Sequence, residues 1–280
     1  MNKEVRYIVK RALVEDIGKG DITTEAVYSG SERAKGIFIA KQDGVVAGLA
    51  LAKFIFAELS DEIRFESSVL DGEKVKKGTE MATIEGPAGK ILTGERTALN
   101  FMQRMSGIAT ETDKYVSLVN HTSAKILDTR KTVPGHRYLD KWAVRLGGGA
   151  NHRMRLDDRF LIKENHITVA GAIPKAIQSC LDYKSQQKLD AEIEIEVQNL
   201  DQLDEVLALN GVTYVLLDNM STDRMKKAVQ KAQGKVLLEA SGNVNLATVK
   251  EIAETGVDFI SVGALTHSVT AMDISLIFKE

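Results

Sequence analysis

The feature that most constrains this 280-residue chain is a phrase repeated six times from residue 126 onward: a short apolar run that stops abruptly in polar or glycine residues. The six runs are Ile126-Leu-Asp-Thr-Arg-Lys-Thr-Val-Pro134, Phe160-Leu-Ile-Lys-Glu-Asn-His166, Ile193-Glu-Ile-Glu-Val197, Tyr214-Val-Leu-Leu-Asp-Asn219, Val236-Leu-Leu-Glu-Ala-Ser-Gly242 and Phe259-Ile-Ser-Val-Gly-Ala264. Helix-like segments separate the later ones: Val169 to Leu181, Leu200 to Leu209, Thr222 to Ala232 and Leu246 to Thr255. Strand and helix in alternation mean parallel strands joined by right-handed crossovers. In barrels built that way the functional residues sit at the carboxyl ends of the strands. Those ends are where this chain carries its charges.

The first hundred or so residues follow another pattern. Val5 to Val14 reads as an amphipathic helix with Val5, Ile8, Val9, Ala12 and Leu13 on one stripe, and Glu15 to Thr24 as a structured loop. Ala34 to Ile91 alternates apolar residues between glycines, the mark of a small, mostly β region. Gly94 to Val119 reads as a long helix with Arg96 in its first turn, where a cation opposes the helix dipole. Position alone leaves Arg96 open as either a surface residue or a site residue.

A hydrophobic fraction of 44%, a charged fraction of 27% and a net charge of -2 describe a soluble globular chain long enough for two domains. That balance gives no basic field for a polyanion, so nucleic acid is not an expected partner. No apolar run approaches membrane-spanning length, and Met1 to Lys10 is charged throughout, without the apolar core of a signal peptide. The expectation is a cytoplasmic protein with no membrane partner. The single cysteine, Cys180, cannot form an internal disulfide and has no metal-ligand spacing around it.

The charges at the strand ends point to an anion site. In Glu192-Ile-Glu-Ile-Glu-Val197 the isoleucines take one face and the glutamates the other. An outer helix layer claims the isoleucines, so the acids point into the barrel, where they need partners. Candidate partners are Arg130 or Lys131, Arg153 and Lys163. The same alternation carries Asp218 with Leu216 and Ser241 with Glu239 to the strand tops. Gly147-Gly-Gly-Ala-Asn-His-Arg153 removes side chains where a backbone or ligand must come close, then delivers His152 and Arg153. Ser241-Gly-Asn243 and Gly263-Ala264 follow the last two strands, where such barrels carry a phosphate cradle. Several cations facing two or three acids suit a multiply anionic ligand with sugar hydroxyls and a metal.

These residues also carry a resemblance. Asp16-Ile-Gly-x-Gly-Asp-Ile-Thr-Thr24, Gly94-Glu-Arg-Thr-Ala-Leu-Asn100, Ser106-Gly-Ile-Ala-Thr110, Leu127-Asp-Thr-Arg-Lys-Thr132, Gly147-Gly-Gly-x-Asn-His-Arg153, Ile162-Lys-x-Asn-His166 and Gly256-Val-Asp-x-Ile-Ser-Val-Gly-Ala-Leu-Thr-His267 together resemble the quinolinate phosphoribosyltransferase family, in order and over nearly the whole chain. The resemblance implies an N-terminal α/β sandwich, residues 1–107, and an open, incomplete α/β barrel, residues 108–280, with the C-terminal segment free to return to the first domain. The implied reaction is quinolinate plus phosphoribosyl pyrophosphate to nicotinate mononucleotide, pyrophosphate and carbon dioxide, with magnesium, in NAD biosynthesis.

By the same resemblance Arg96, Arg130, His152, Arg153 and Lys163 take the quinolinate carboxylates and neighbouring phosphates, with Thr129 and Lys131 completing that motif. Glu196 and Asp218 hold the ribose hydroxyls and face the metal-bound pyrophosphate, and Ser241, Gly242, Asn243, Val262, Gly263 and Ala264 form the 5'-phosphate loops. A homodimer is implied, with Arg96 reaching the neighbouring subunit's site. Arg155, Asp157, Glu164 and Asn243 depart from the family's usual residues, at the rim of this cluster.

Overall fold

The structure, a computed structural model, describes residues 1–279. Its first elements are α1 (Lys3–Ile17), α2 (Ile22–Val27), β1 (Arg33–Ala40), β2 (Gly44–Val45), α3 (Leu49–Leu59), β3 (Arg64–Ser67), β4 (Lys74–Val75), β5 (Glu80–Pro87) and α4 (Ala88–Val119). There follow β6 (Lys125–Leu127), α5 (Arg137–Leu146), β7 (Phe160–Ile162), α6 (Glu164–Ala170), α7 (Ile173–Gln187), β8 (Ile193–Val197) and α8 (Leu200–Leu207). The last are β9 (Tyr214–Asp218), α9 (Thr222–Ala232), β10 (Leu237–Ser241), α10 (Val249–Ala253), β11 (Phe259–Ser261), α11 (Ala264–His267) and β12 (Ile274–Lys279). Two compact units result: Met1–Asp113 with Thr132–Gly148 and Leu265 onward, and Lys114–Lys131 with Gly149–Ala264.

In the first unit β12, β1, β5 and β3 form an antiparallel sheet, with Ala40 opposite Ile274 and Phe38 opposite Leu276. The C-terminal strand therefore belongs to the sheet of the N-terminal residues. Phe38, Phe56 and Phe65, from β1, α3 and β3, pack with ring centroids 5.5 to 6.1 Å apart. Burial of each such ring contributes about 1.5–3 kcal/mol.

Two expectations change here. Asp21 accepts from the backbone N–H and the hydroxyl of Thr24 and so caps α2; the last three residues of the expected loop open a helix, while its first three belong to α1. The long helix begins at Ala88, ahead of the expected Gly94, because Gly94 sits inside it for packing: a Cβ there would meet Leu59 and Phe56. Arg96 is consequently in the third turn, beyond the reach of the unfavourable dipole end.

Several motif residues of this unit, Arg96 not among them, are engaged in structure. Ser106 Oγ, fully buried on α4, accepts from Ala47 N at 2.9 Å and donates to Ala47 O at 3.1 Å. One turn later Thr110 Oγ1 accepts from Val45 N at 2.9 Å. Side chains at Gly107 and Gly147 would collide with the backbones of Thr270 and Ala109. Arg104 clasps the buried Asp140 of α5 with two bonds, Nε at 2.9 Å and Nη2 at 2.8 Å.

The second unit is built on six parallel strands in the order β6-β11-β10-β9-β8-β7. Among the described residues β6 and β7 are not paired to each other, so the sheet stays open; beyond β6 only Ala150 bridges to Leu127. Ile193, Ile195 and Val197 of β8, Val215 and Leu217 of β9, Leu238 and Ala240 of β10 and Ile260 of β11 are all buried. The helices bring buried stripes of their own, Ile173, Ala176 and Ile177 on α7, Leu203 and Val206 on α8, Met225, Ala228 and Ala232 on α9. The single helix expected over Val169 to Leu181 is two, since Gly171, at φ 87°, ends α6 and Pro174 opens the first turn of α7.

Candidate functional site

Parallel strands bring all their carboxyl ends to one edge of the sheet. Across that edge, in spatial order, stand Thr129–Lys131 after β6, Val262–Ala264 after β11, Ser241–Asn243 at β10, Asp218 at β9, Glu196 on β8 and Lys163 after β7. Apart from His152 and Arg153, the sequence-expected residues of the second unit are thus gathered on one edge. Arg96 belongs to the first unit and is exposed on α4.

The cations are crowded. Arg153 is half-buried, with Nη1 donating to Arg159 O at 3.0 Å. Burial, then the charge of Arg130, pushes its guanidinium below its ordinary pKa. Nε of Arg130 is itself buried without a hydrogen-bond partner. Thr129 Oγ1 accepts from Lys131 N at 3.0 Å, holding the turn that presents Arg130. Lys163, just ahead of α6, keeps half of its side chain in solvent and places Nζ 3.8 Å from Glu196 Oε2.

The acids are crowded too. Burial first, then the charge of Asp218, pushes the Glu196 carboxyl above its ordinary range, with Lys163 opposing. A carboxyl raised by a second carboxylate beside it makes a donor set suited to a hard divalent cation or to sugar hydroxyls. On this ground the residues fit magnesium. Next to them Asn219 takes a left-handed turn (φ 51°), its Nδ2 donating to Asp218 at 3.0 Å and its Oδ1 accepting from Asn243 at 3.0 Å. Gly242, at φ 96°, lies so close to Asn219 that any side chain there would strike it. The loop after β10 is thereby held flush with the loop after β9.

Beneath these residues lies a buried layer that, His152 apart, the sequence reading does not assign to the site. Asp128 accepts from His152 N at 2.9 Å and from Asn151 Nδ2, fixing the segment that carries His152 and Arg153. His152 is buried, its Nε2 3.1 Å from Glu194 and 3.6 Å from Glu239. Arg159 reaches Glu194 at 3.4 Å and lies over the Tyr214 ring, 4.1 Å from its centre. The inward acid Glu194 is paired with His152 and Arg159; of the candidates read from sequence, Arg153 also acts on Glu194 through its charge and Lys163 stands 3.8 Å from Glu196. Arg159 gives no signal in sequence beyond being one more charge in a polar loop.

An open parallel α/β barrel with facing cation and acid clusters on its strand ends defines an enzyme class, one acting on anionic small molecules. Comparison with known proteins gives the family. Residues 108–277 match the model of the quinolinate phosphoribosyl transferase C-terminal domain, and residues 21–106 that of its N-terminal domain. The chain is 45% identical to quinolinate phosphoribosyltransferase [decarboxylating] 2b, mitochondrial, of Nicotiana tabacum, over 98% of this chain and 82% of that protein. It is 44% identical, over the same shares, to the chloroplastic nicotinate-nucleotide pyrophosphorylase [carboxylating] of Arabidopsis thaliana. Its fold is similar to the solved nicotinate-nucleotide pyrophosphorylase of Francisella tularensis, with a TM-score of 0.94 at 41% identity, covering 100% of this chain and 97% of that one. The chain belongs to the quinolinate phosphoribosyltransferase family.

Proposed function

We propose that this protein transfers the phosphoribosyl group of phosphoribosyl pyrophosphate to quinolinate with decarboxylation, giving nicotinate mononucleotide, pyrophosphate and carbon dioxide for NAD synthesis. The observation that carries the substrate choice is the guanidinium pair: Arg130, whose buried Nε has no hydrogen-bond partner, acts on the half-buried Arg153, lowered first by burial and then by Arg130 against the opposing charges of Glu194 and Asp158. A ligand with two carboxylates relieves both cations. Nicotinate, with one, leaves a half-buried cation uncompensated.

In this reading Arg130, Arg153 and Lys163, with Thr129 and Lys131, orient the two carboxylates and the neighbouring phosphate. Glu196 and Asp218 take the ribose hydroxyls. Ser241, Gly242, Asn243, Val262, Gly263 and Ala264 cradle the 5'-phosphate. Magnesium, held mainly by phosphoribosyl pyrophosphate with Glu196 and Asp218 facing it, neutralises charge on the departing pyrophosphate when bound.

The pyridine nitrogen forms its bond to the ribosyl carbon as the bond to pyrophosphate oxygen breaks, through an oxocarbenium-like transition state. Fixed charges aimed at that charge separation are the main catalytic contribution of the chain. The new bond leaves the ring nitrogen cationic. When the adjacent carboxylate departs as carbon dioxide, the cationic ring holds the electron pair left on carbon until that carbon is protonated. No separate decarboxylation cofactor is needed.

An assay for nicotinate mononucleotide and carbon dioxide from quinolinate, with nicotinate as control, tests this directly. Turnover of quinolinate alone is expected; preference for nicotinate overturns it. Cytoplasmic action is part of the same proposal and rests on composition.

The proposal extends to a homodimer in which Arg96 of the partner subunit completes each site, supported by the exposure of Arg96 on α4. Arg96→Ala and Lys163→Ala proteins are each expected to be inactive. Co-refolded at random, they gather both lesions into one site of each heterodimer, so roughly a quarter of wild-type sites return. Heterodimers without recovered activity overturn the sharing.

A further inference from the structure

The His152, Glu194 and Glu239 side chains form a buried triad whose ligating atoms all lie within 4.8 Å of one another. None of the steps above uses the two acids. The hydrogen bonds fix the tautomer of the neutral ring: Nδ1 accepts from Arg153 N at 2.6 Å, which puts the proton on Nε2, facing Glu194 at 3.1 Å. Both ring nitrogens are thus turned to protein atoms. Neither oxygen of Glu239 has a hydrogen-bond partner among the described residues, nor does Oε1 of Glu194. A buried acid pair in that state must take up a proton or a cation.

We infer that Glu239 is a positioning residue: by holding a proton next to the ionised Glu194 it keeps Nε2 of His152 gripped, and through Nδ1 it fixes the backbone of Arg153, the cation that meets the substrate. The inference rests on the quinolinate activity proposed above, and it gives His152 an indirect part in binding.

The surroundings favour a proton over a metal ion. Arg159 already supplies a positive charge at 3.4 Å from Glu194. The groups that face Glu239 are Glu194 from β8, His152 and Arg159 from the loop ahead of β7, and the Ser261 hydroxyl from β11, which donates to Ala240 O at 3.4 Å. Its lateral neighbours in the sheet are Leu216 and Phe259. Burial, then the charge of Glu194, pushes the Glu239 carboxyl up to about 7, while His152 and Arg159 hold Glu194 below its ordinary value despite burial. Glu239 is therefore the member that changes charge near neutrality. Above pH 7 its ionisation adds a buried negative charge behind Arg153 and weakens the field that attracts quinolinate.

Four measurements test this. In the substrate-free protein, nitrogen NMR of labelled histidines should show His152 protonated on Nε2 and bare on Nδ1; the opposite tautomer overturns the inference. The wild-type KM for quinolinate should rise several-fold between pH 6 and pH 8.5, with kcat moving less. Glu239→Gln, which mimics the protonated acid, should keep the pH 6 value throughout. An equal rise in the variant overturns the inference.

Thermal unfolding gives a reading independent of activity. A carboxyl raised by folding contributes stability fully present below its ordinary range and lost as pH rises through about 7. Wild type should therefore lose Tm relative to Glu239→Gln progressively as pH rises from about 5 to about 7 and keep that deficit above; curves that stay parallel across that window count against it. Retention of one equivalent of Mn2+ or Zn2+ by dialysed wild type, but not by Glu239→Gln, would make the triad a cation site and overturn the proton. A wild type that ignores quinolinate defeats the functional reading alone, since the tautomer and unfolding results still stand.

Discussion

The two units treat their polar residues in opposite ways. In the first, Ser106, Thr110, Arg104 and Asp140 are paired to one another or to backbone within hydrogen-bonding distance, and they pin α4 against β2 and α5. In the second, like charges crowd each other at the strand ends, Arg130 against Arg153 and Glu196 against Asp218. Satisfied pairs make scaffold; unrelieved repulsion makes a site, because a ligand of opposite charge recovers what the fold leaves unspent. Motif residues of the same family thus divide into two kinds, and hydrogen-bond accounting separates them where sequence resemblance does not.

The largest effect is expected where the repulsion is. Arg130→Ala removes one cation of a partly desolvated pair and should cost about 2–5 kcal/mol in quinolinate turnover, with thermal unfolding unchanged or slightly improved. Measured kcat/KM for quinolinate beside Tm decides it. A variant that loses Tm while keeping turnover would place Arg130 with the scaffold and break the contrast.

Asp140→Ala is the mirror experiment. It strands a guanidinium that keeps a quarter of its side chain in solvent, so the loss falls near the lower end of that for broken buried pairs, about 3 kcal/mol. Unfolding in urea should shift to lower midpoint at unchanged slope, and activity per folded molecule should stay within about twofold. Turnover that collapses while the fold holds would give Asp140 a part in the chemistry.

How far the sequence alone reads this molecule depends on the range of the interaction. Period-two alternation put Glu194 and Glu196 on the inner face of β8, and strand periodicity carried Asp218 and Ser241 to the edge, because side-chain direction in a strand is a local property. Helix limits were less legible. Gly171 with Pro174 is a stop and start signal that the apolar spacing of Val169 to Leu181 masks, and Gly94 resembles a helix start although its lack of a side chain serves contact with Leu59. The buried layer was illegible for a different reason. Arg159, Glu194 and Glu239 meet His152 through parallel pairing of strands far apart in sequence, and no local pattern encodes which acid meets which cation.

The smallest expected effect sharpens the second half of the comparison, the acid pair. Glu196→Gln keeps size and hydrogen-bonding capacity but removes the charge that Asp218 repels and Lys163 attracts. Relief of the repulsion offsets part of the loss, so the net penalty should be about 1–2 kcal/mol, near the value of one charged hydrogen bond. It should fall on phosphoribosyl pyrophosphate: roughly a tenfold higher KM for that substrate at saturating quinolinate, and a quinolinate KM within about twofold of wild type. Because the cations sit at β6 and β7 while Glu196 and Asp218 sit between them on β8 and β9, the split in KM distinguishes two subsites from one shared anion pocket. An equal rise in both KM values would mean that Lys163, released from Glu196, has moved, and that the acids and cations form one electrostatic unit.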